Sequence, residues 1–178
     1  MKRFLAITSI LLIAVIFLAG CGDDTTTTTA YSGAAKVGDT VSVDYLGTLE
    51  DGTKFDSSYD RGEPLSFTVG AGQMISGFDA AVVGMKVGDI KTVTLPPEEA
   101  YGEWDERNII KFDLSEFTDG QIPSVGDKIP LQYGSGQVAY FPVVEVTNGF
   151  VAVDTNHELA GKTLIFKIEM VSITPAAE

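Results

Sequence analysis

The chain has 178 residues, 44% hydrophobic and 21% charged, enough for one domain or one with a smaller companion and unlike a disordered or fibrous chain. Its 12 Lys and Arg stand against 25 Asp and Glu, a formal net charge of −13, so its surface repels phosphates and anionic headgroups and nucleic-acid binding is excluded. With one cysteine, Cys21, no internal disulfide can form.

Met1-Lys2-Arg3 is a short positive stretch, and Phe4 to Gly20 is apolar apart from Thr8 and Ser9. This is the layout of an export signal, and it is on the short side for a membrane-spanning helix. Leu18-Ala19-Gly20-Cys21 resembles the lipobox at which lipoproteins are processed. That resemblance implies removal of residues 1–20, lipidation of Cys21 and anchoring on the extracytoplasmic side of a membrane; the alternative is an uncleaved N-terminal anchor. Without residues 1–20, which hold Lys2 and Arg3 and no acid, 10 basic against 25 acidic side chains leave −15. Residues 21–35, with Asp23-Asp24 and five consecutive threonines, show no apolar periodicity and read as a flexible tether.

The folded part starts near Lys36. Val41, Val43 and Tyr45 alternate with Ser42 and Asp44, which predicts a strand with one apolar face. Glu50-Asp51-Gly52 supplies a turn, and Phe55 and Asp56 follow side by side, although only one of two successive strand residues should face a core. Leu65 to Val69 alternates again. Ser76 to Val83 reads as a short helix, with Ile75, Phe78 and Val82 on one face, a possible Ser76–Asp79 capping box and Gly84 as its end. Thr92 to Leu95 is a further strand stopped by Pro96-Pro97, and Leu164 to Ile173 is the last, with Phe166, Ile168 and Met170 alternating with polar residues. Short antiparallel strands around one short helix make an α+β pattern, an antiparallel β-sheet wrapped around a short α-helix.

Between Gly102 and Gly161 lies more chain than a loop needs. Ile109 to Phe112 is strand-like and Leu114 to Phe117 a turn with helical character. Val125-Gly126-Asp127 turns into Ile129, Leu131 and Tyr133 in alternation, and Phe141 to Val146 and Phe150 to Val153 flank the hairpin signal Asn148-Gly149. Residues 103–157 therefore read as a small β-rich domain inserted between residues 36–102 and the final strand at 158–174, with 175–178 a tail.

The pattern V-x-Y-x-G-x-L-x-D-G-x-x-F-D-S-S from Val43 to Ser58 resembles the opening of the FKBP-type peptidyl-prolyl cis-trans isomerases. Arg61, Gly72 to Phe78, Val87-Gly88-Asp89 and Ala100-Tyr101-Gly102 follow in that family's order. Asn156-His157-Glu158-Leu159-Ala160-Gly161 resembles the return signature of its SlyD-like branch, in which an insert-in-flap domain replaces the flap. Rotation about an X-Pro bond has a barrier of about 18–20 kcal/mol, because the twisted amide loses its resonance. An apolar pocket with a few well-placed donors suits that task, and no nucleophile or cofactor is required.

The resemblance implies a proline pocket lined by Tyr45, Phe55, Met74, Ile75, Phe78, Tyr101 and Phe166, with Leu65 at its edge and Leu159 and Ala160 as its far wall. Asp56, Tyr101 and Phe166 would carry the catalysis, Tyr101 as donor to a substrate carbonyl. Asp56 would orient the twisting amide or pair with Arg61, and a structural ion pair suits Arg61 as well as a direct role. Phe67 and Ile168 are assigned to the core. Phe78 stands where small single-domain members usually carry Trp, which implies a looser floor. Its only His, His157, predicts a structural hydrogen bond and no metal site. No cofactor is expected. The expected partners are unfolded or proline-containing polypeptides, captured by the insert, and a membrane reached through the lipid; the protein is expected to be a monomer. The alternatives are a non-enzymatic holdase with a vestigial prolyl pocket and a lipoprotein that captures a small ligand or scaffolds an envelope complex.

Overall fold

Alternation builds the first strand of the computed structural model, which describes residues 32–117, 121–134 and 136–177. The segment expected to be an export signal, Cys21 and most of the stretch expected to be a tether lie outside the described residues. In β1 (Thr40–Leu49), Val41, Val43, Tyr45 and Gly47 are buried while Ser42, Asp44 and Leu46 on the other face are half-buried. The last strand (Leu164–Thr174) runs antiparallel along all of β1, from Leu49 opposite Leu164 to Thr40 opposite Thr174.

The other edge of β1 is covered in two pieces. β2 (Lys54–Ser57) pairs with Leu46 to Thr48, and β3 (Leu65–Thr68) pairs with Thr40 to Val43. Asp44 and Tyr45, between them, have no strand partner on that side. The short helix α1 (Ser58–Arg61) fills the gap. Its first residue, Ser58, is fully buried, accepts the Tyr45 N–H at 2.9 Å and donates to the Asp44 carboxylate at 2.8 Å. Ser57 caps α1 by accepting the Tyr59 N–H at 3.2 Å. The two serines of the Phe-Asp-Ser-Ser stretch thus have distinct tasks, one capping a helix and one completing a strand edge.

α2 (Ser76–Val82) packs Phe78, Ala81 and Val82 onto the sheet, against a core that includes Val41, Val43, Phe67, Ile168 and Met170. This is the expected α+β arrangement, and Phe67 and Ile168 belong to its core. The capping box does not form. Ile75 stands at the N-cap without a side-chain bond, the Ser76 hydroxyl donates to the Glu99 carbonyl at 3.2 Å, and Asp79 accepts the Gly70 N–H at 2.9 Å. Neighbouring segments therefore claim both side chains. The helix gives way to extended backbone at Val83, one residue before Gly84.

β4 (Ile90–Leu95) pairs with the last strand on the edge away from β1. The chain then builds a second, four-stranded sheet from β5 (Ile109–Asp113), β6 (Lys128–Tyr133), β7 (Gln137–Val146) and β8 (Phe150–Asp154), in the order β5-β8-β7-β6. The last strand of the chain is therefore β9. Val143, Val151 and Val153 form a small core of the second sheet, with Phe112, Ile129 and Leu131 packed against it. The turn after β7 is held by Thr147, whose hydroxyl accepts the Gly149 and Phe150 N–H groups at 3.2 and 3.1 Å, and Gly149 does not enter the left-handed region.

Where the chain leaves the first sheet and where it returns, the two segments are bonded together. Thr155 donates its N–H to the Asn108 carbonyl at 3.0 Å, and the Asn156 amide exchanges bonds with the Asp105 main chain at 2.9 and 3.1 Å. Closer to the first sheet, the Gly161 N–H meets the Gly102 carbonyl at 2.9 Å.

Ser58→Ala leaves the buried Tyr45 N–H without a partner. It is expected to lower the unfolding free energy by about 1–3 kcal/mol, measured by urea denaturation; an unchanged midpoint would show that water replaces the hydroxyl at the β1 edge.

Candidate functional site

A cavity of about 560 Å³ lies between the first sheet and α2. Ten of the residues expected at the site line it: Tyr45, Phe55, Asp56, Arg61, Leu65, Met74, Ile75, Phe78, Tyr101 and Phe166. They come from several pieces of the scaffold. Tyr45 and Phe166 are neighbours on β1 and β9, Phe78 rises from α2, and Tyr101 sits on the turn beyond Pro97–Glu99.

Phe55 and Asp56 both reach the cavity because β2 carries a bulge. Gly47 stands opposite Asp56 and Thr48 opposite Lys54, so Phe55 is the extra residue. A bulge breaks the alternation that otherwise sends successive side chains to opposite faces. The Phe55 ring then lies over Gly47, where a Cβ would come within 2.7 Å of the Phe55 ring and 3.0 Å of the Phe166 ring. Gly47 is therefore part of the site by having no side chain, which sequence reasoning treated only as a motif letter.

The floor is aromatic. Phe78 meets Phe166 edge to face at 5.1 Å and Tyr45 at 5.6 Å, and Phe55 meets Phe166 at 5.5 Å. Such edge-to-face pairs hold ring planes at fixed angles. Phe78 is 3% exposed, so the ring in the usual Trp position is enclosed on the core side, where Phe67 also touches it at 5.9 Å.

The polar side of the cavity is one connected group. Arg61 donates Nη1 to Asp56 at 2.7 Å and Nη2 to the Tyr45 hydroxyl at 2.6 Å, and the Tyr45 hydroxyl in turn donates to Asp56. The Ser57 N–H adds a bond to the same carboxylate at 2.8 Å. Partial burial pushes the Asp56 carboxyl up, but the bonds from Tyr45, Arg61 and Ser57 outweigh it and hold the carboxyl below the usual range. Burial, then the bond to Asp56, pushes the Tyr45 phenol up, and the bonds to Tyr45 and Asp56 raise the Arg61 guanidinium further above its ordinary value. The ion-pair reading of Arg61 is the one the geometry shows.

Tyr101 is different. Its hydroxyl has no hydrogen-bond partner among the described residues, and burial followed by the nearby Asp56 charge pushes its pKa up. It remains a protonated donor at neutral pH, with no acceptor bonded to it among the described residues.

Leu159 and Ala160 do not line this cavity. The return turn, closed by the Ala160 N–H to the His157 carbonyl at 2.8 Å, tucks Leu159 into the core. There it walls a separate depression of about 300 Å³ with Leu49, Phe55, Glu158 and Lys162. The far-wall expectation is thus corrected. Besides Gly47, two residues were missed: Gln73, which lines the cavity and accepts the Thr68 N–H at 2.8 Å, and His157, whose ring stacks on Tyr101 at 3.8 Å. His157 also makes a structural hydrogen bond, its Nδ1 accepting the Leu159 N–H at 3.1 Å. The stack left no local signal, because the partners lie on opposite sides of the second sheet in sequence.

Residues 32–171 match the FKBP-type peptidyl-prolyl cis-trans isomerase family. The chain belongs to that family. It is 42% identical over 156 residues to a short-type peptidyl-prolyl cis-trans isomerase of Methanocaldococcus jannaschii, covering 79% of this chain and 95% of that protein. It is 38% identical over 136 residues to the isomerase SlyD of Aeromonas hydrophila, covering 76% and 63% respectively. The FKBP-type 16 kDa isomerase of Escherichia coli is 34% identical over 130 residues, covering 73% and 87%.

Gly47→Ala is expected to push the Phe55 and Phe166 rings off their seats and to lower kcat/KM on a tetrapeptide by about tenfold or more, measured beside a circular dichroism spectrum that shows the fold retained. Since the Asp56 pKa is lowered on folding, its ion pair contributes stability above the ordinary Asp value of about 3.9 and loses it as pH falls through the lower folded value. Activity is therefore expected to stay level from about pH 8 to about pH 5, with no acid limb attributable to Asp56; a limb above about pH 5 that Asp56→Asn abolishes would contradict this assignment.

Proposed function

We propose that this FKBP-type isomerase works outside the cytoplasm on unfolded or partly folded exported proteins, held to a membrane by lipid on Cys21. The observation that carries the catalytic part is the cavity itself: an aromatic floor beside the Tyr101 hydroxyl, which has no hydrogen-bond partner among the described residues. A prolyl ring seated against Phe78, Phe166 and Tyr45 places the preceding amide in a poorly solvated space. Water favours the planar, charge-separated amide, so removing it favours the twisted form. Tyr101 donates to a carbonyl of the bound segment, and that bond counts toward rate only where it is stronger in the twisted state than in the planar one. The Asp56–Arg61–Tyr45 group acts by position. It fixes the Tyr45 ring as a wall and keeps a bound, neutralised charge at the rim.

The second sheet is assigned to capture. One groove of about 680 Å³ is lined by Phe112, Phe117, Ile122, Ile129, Pro130 and Leu131 among others. On β7, Val138, Tyr140 and Val144 are 57%, 66% and 44% exposed. Exposed apolar surface of this kind suits unfolded chains. Two weak sites on one body raise the local concentration of substrate at the prolyl cavity. The export and lipid readings rest on the order of residues 1–21.

The test replaces residues 109–154 by a short Gly-Ser loop joining Asn108 to Thr155, which are already bonded at 3.0 Å. Tetrapeptide isomerisation is expected to persist while acceleration of a proline-limited protein refolding reaction falls by about 100-fold or more. Equal loss on both substrates would refute separate capture. Cys21→Ser is expected to move the protein from the membrane to the soluble fraction of the cells that express it.

A further inference from the structure

Tyr101 sits on a turn whose backbone is pinned on both sides. Gly102 donates its N–H to the Pro97 carbonyl at 2.8 Å and accepts the Gly161 N–H at 2.9 Å. The side chain has no such anchor: its hydroxyl is unpartnered among the described residues, and the residue is 41% exposed. What restrains the ring is His157. The two rings are parallel within 2° with centroids 3.8 Å apart, and among the described residues Tyr101 has no other aromatic partner. The imidazole is itself fixed, because Nδ1 accepts the Leu159 N–H at 3.1 Å. The neighbouring Asn156 is bonded to the Asp105 main chain in both directions, so the backbone under His157 is held as well.

We infer that His157 is a positioning residue for prolyl isomerisation, covering one face of the Tyr101 ring so that the hydroxyl stays directed at the cavity. His157 does not line the cavity, so it acts on substrate only through Tyr101. The inference rests on the reading of Tyr101 as the carbonyl donor. An exposed Tyr on a turn samples several staggered rotamers, and only one of them presents the hydroxyl to the bound segment. Rate scales with the fraction of molecules in that arrangement. A stacked aromatic pair shifts such a population by about two- to tenfold.

A double-mutant cycle in the full-length chain, with kcat and KM measured separately on a tetrapeptide, tests this. Tyr101→Phe keeps the ring and removes the donor. His157→Ala removes the stack; His157→Asn removes the ring but keeps an oxygen that can accept the Leu159 N–H; His157→Phe keeps a stacking face without the acceptor. His157→Ala and His157→Asn are expected to lower kcat about two- to tenfold with little change in KM, and His157→Phe to restore most of it. In the Tyr101→Phe background the His157 substitutions should cost nothing further. Full activity in His157→Asn, or an undiminished loss in the Tyr101→Phe background, overturns the positioning role while leaving Tyr101 as donor. If Tyr101→Phe alone leaves kcat unchanged, the donor reading falls and the role of His157 falls with it.

Discussion

The unpaired stretch on the edge of β1 is the constraint from which the site follows. A strand edge must find partners for its N–H and C=O groups, and β1 finds them in β3 on one side of Asp44-Tyr45 and β2 on the other. In between, the buried Ser58 hydroxyl accepts the Tyr45 N–H. The edge is therefore satisfied there without a strand, and the Tyr45 side chain lines the cavity.

Around the opening, close approach of backbone and ring does the shaping. The β2 bulge turns Phe55 inward beside Asp56, and Gly47 lets the ring cross β1 without a Cβ in the way. Phe166, on the neighbouring strand, packs edge to face with both Phe55 and Phe78. The result is a rigid apolar seat whose charged residues, Asp56 and Arg61, neutralise each other at the rim. Rotating an amide in such a seat needs no proton transfer, which is consistent with a carboxylate whose bonds are already committed and a phenol that keeps its proton.

The second sheet joins the first through two segments that are bonded to each other, so its presence need not loosen the site. Asn156 ties the return to Asp105, and Gly161 ties it to Gly102, immediately beside Tyr101. The same return segment supplies His157 to the Tyr101 ring. The insertion point and Tyr101 are thus neighbours in space.

Much of this was legible in the residues. Alternation in Val41 to Tyr45 and Leu164 to Ile173 placed the two central strands, because a half-buried strand writes its inward face at every second position. The order of motifs from Val43 to Gly102 indicated the family, and that resemblance implied nine of the lining residues within that span and Phe166 on the last strand. Other features depended on which distant segments meet. Ser76 and Asp79 have the spacing of a capping box, yet the Glu99 carbonyl and the Gly70 N–H claim them. Leu159 follows the signature of a pocket wall, yet the return turn buries it. The His157 stack needs two residues on either side of a whole sheet to arrive face to face. Sequence by itself determined local periodicity, turn chemistry and the kind of site, since these are set by near neighbours. Tertiary structure alone decided which donors were left free and which rings touched, since that depends on chain segments closing in three dimensions.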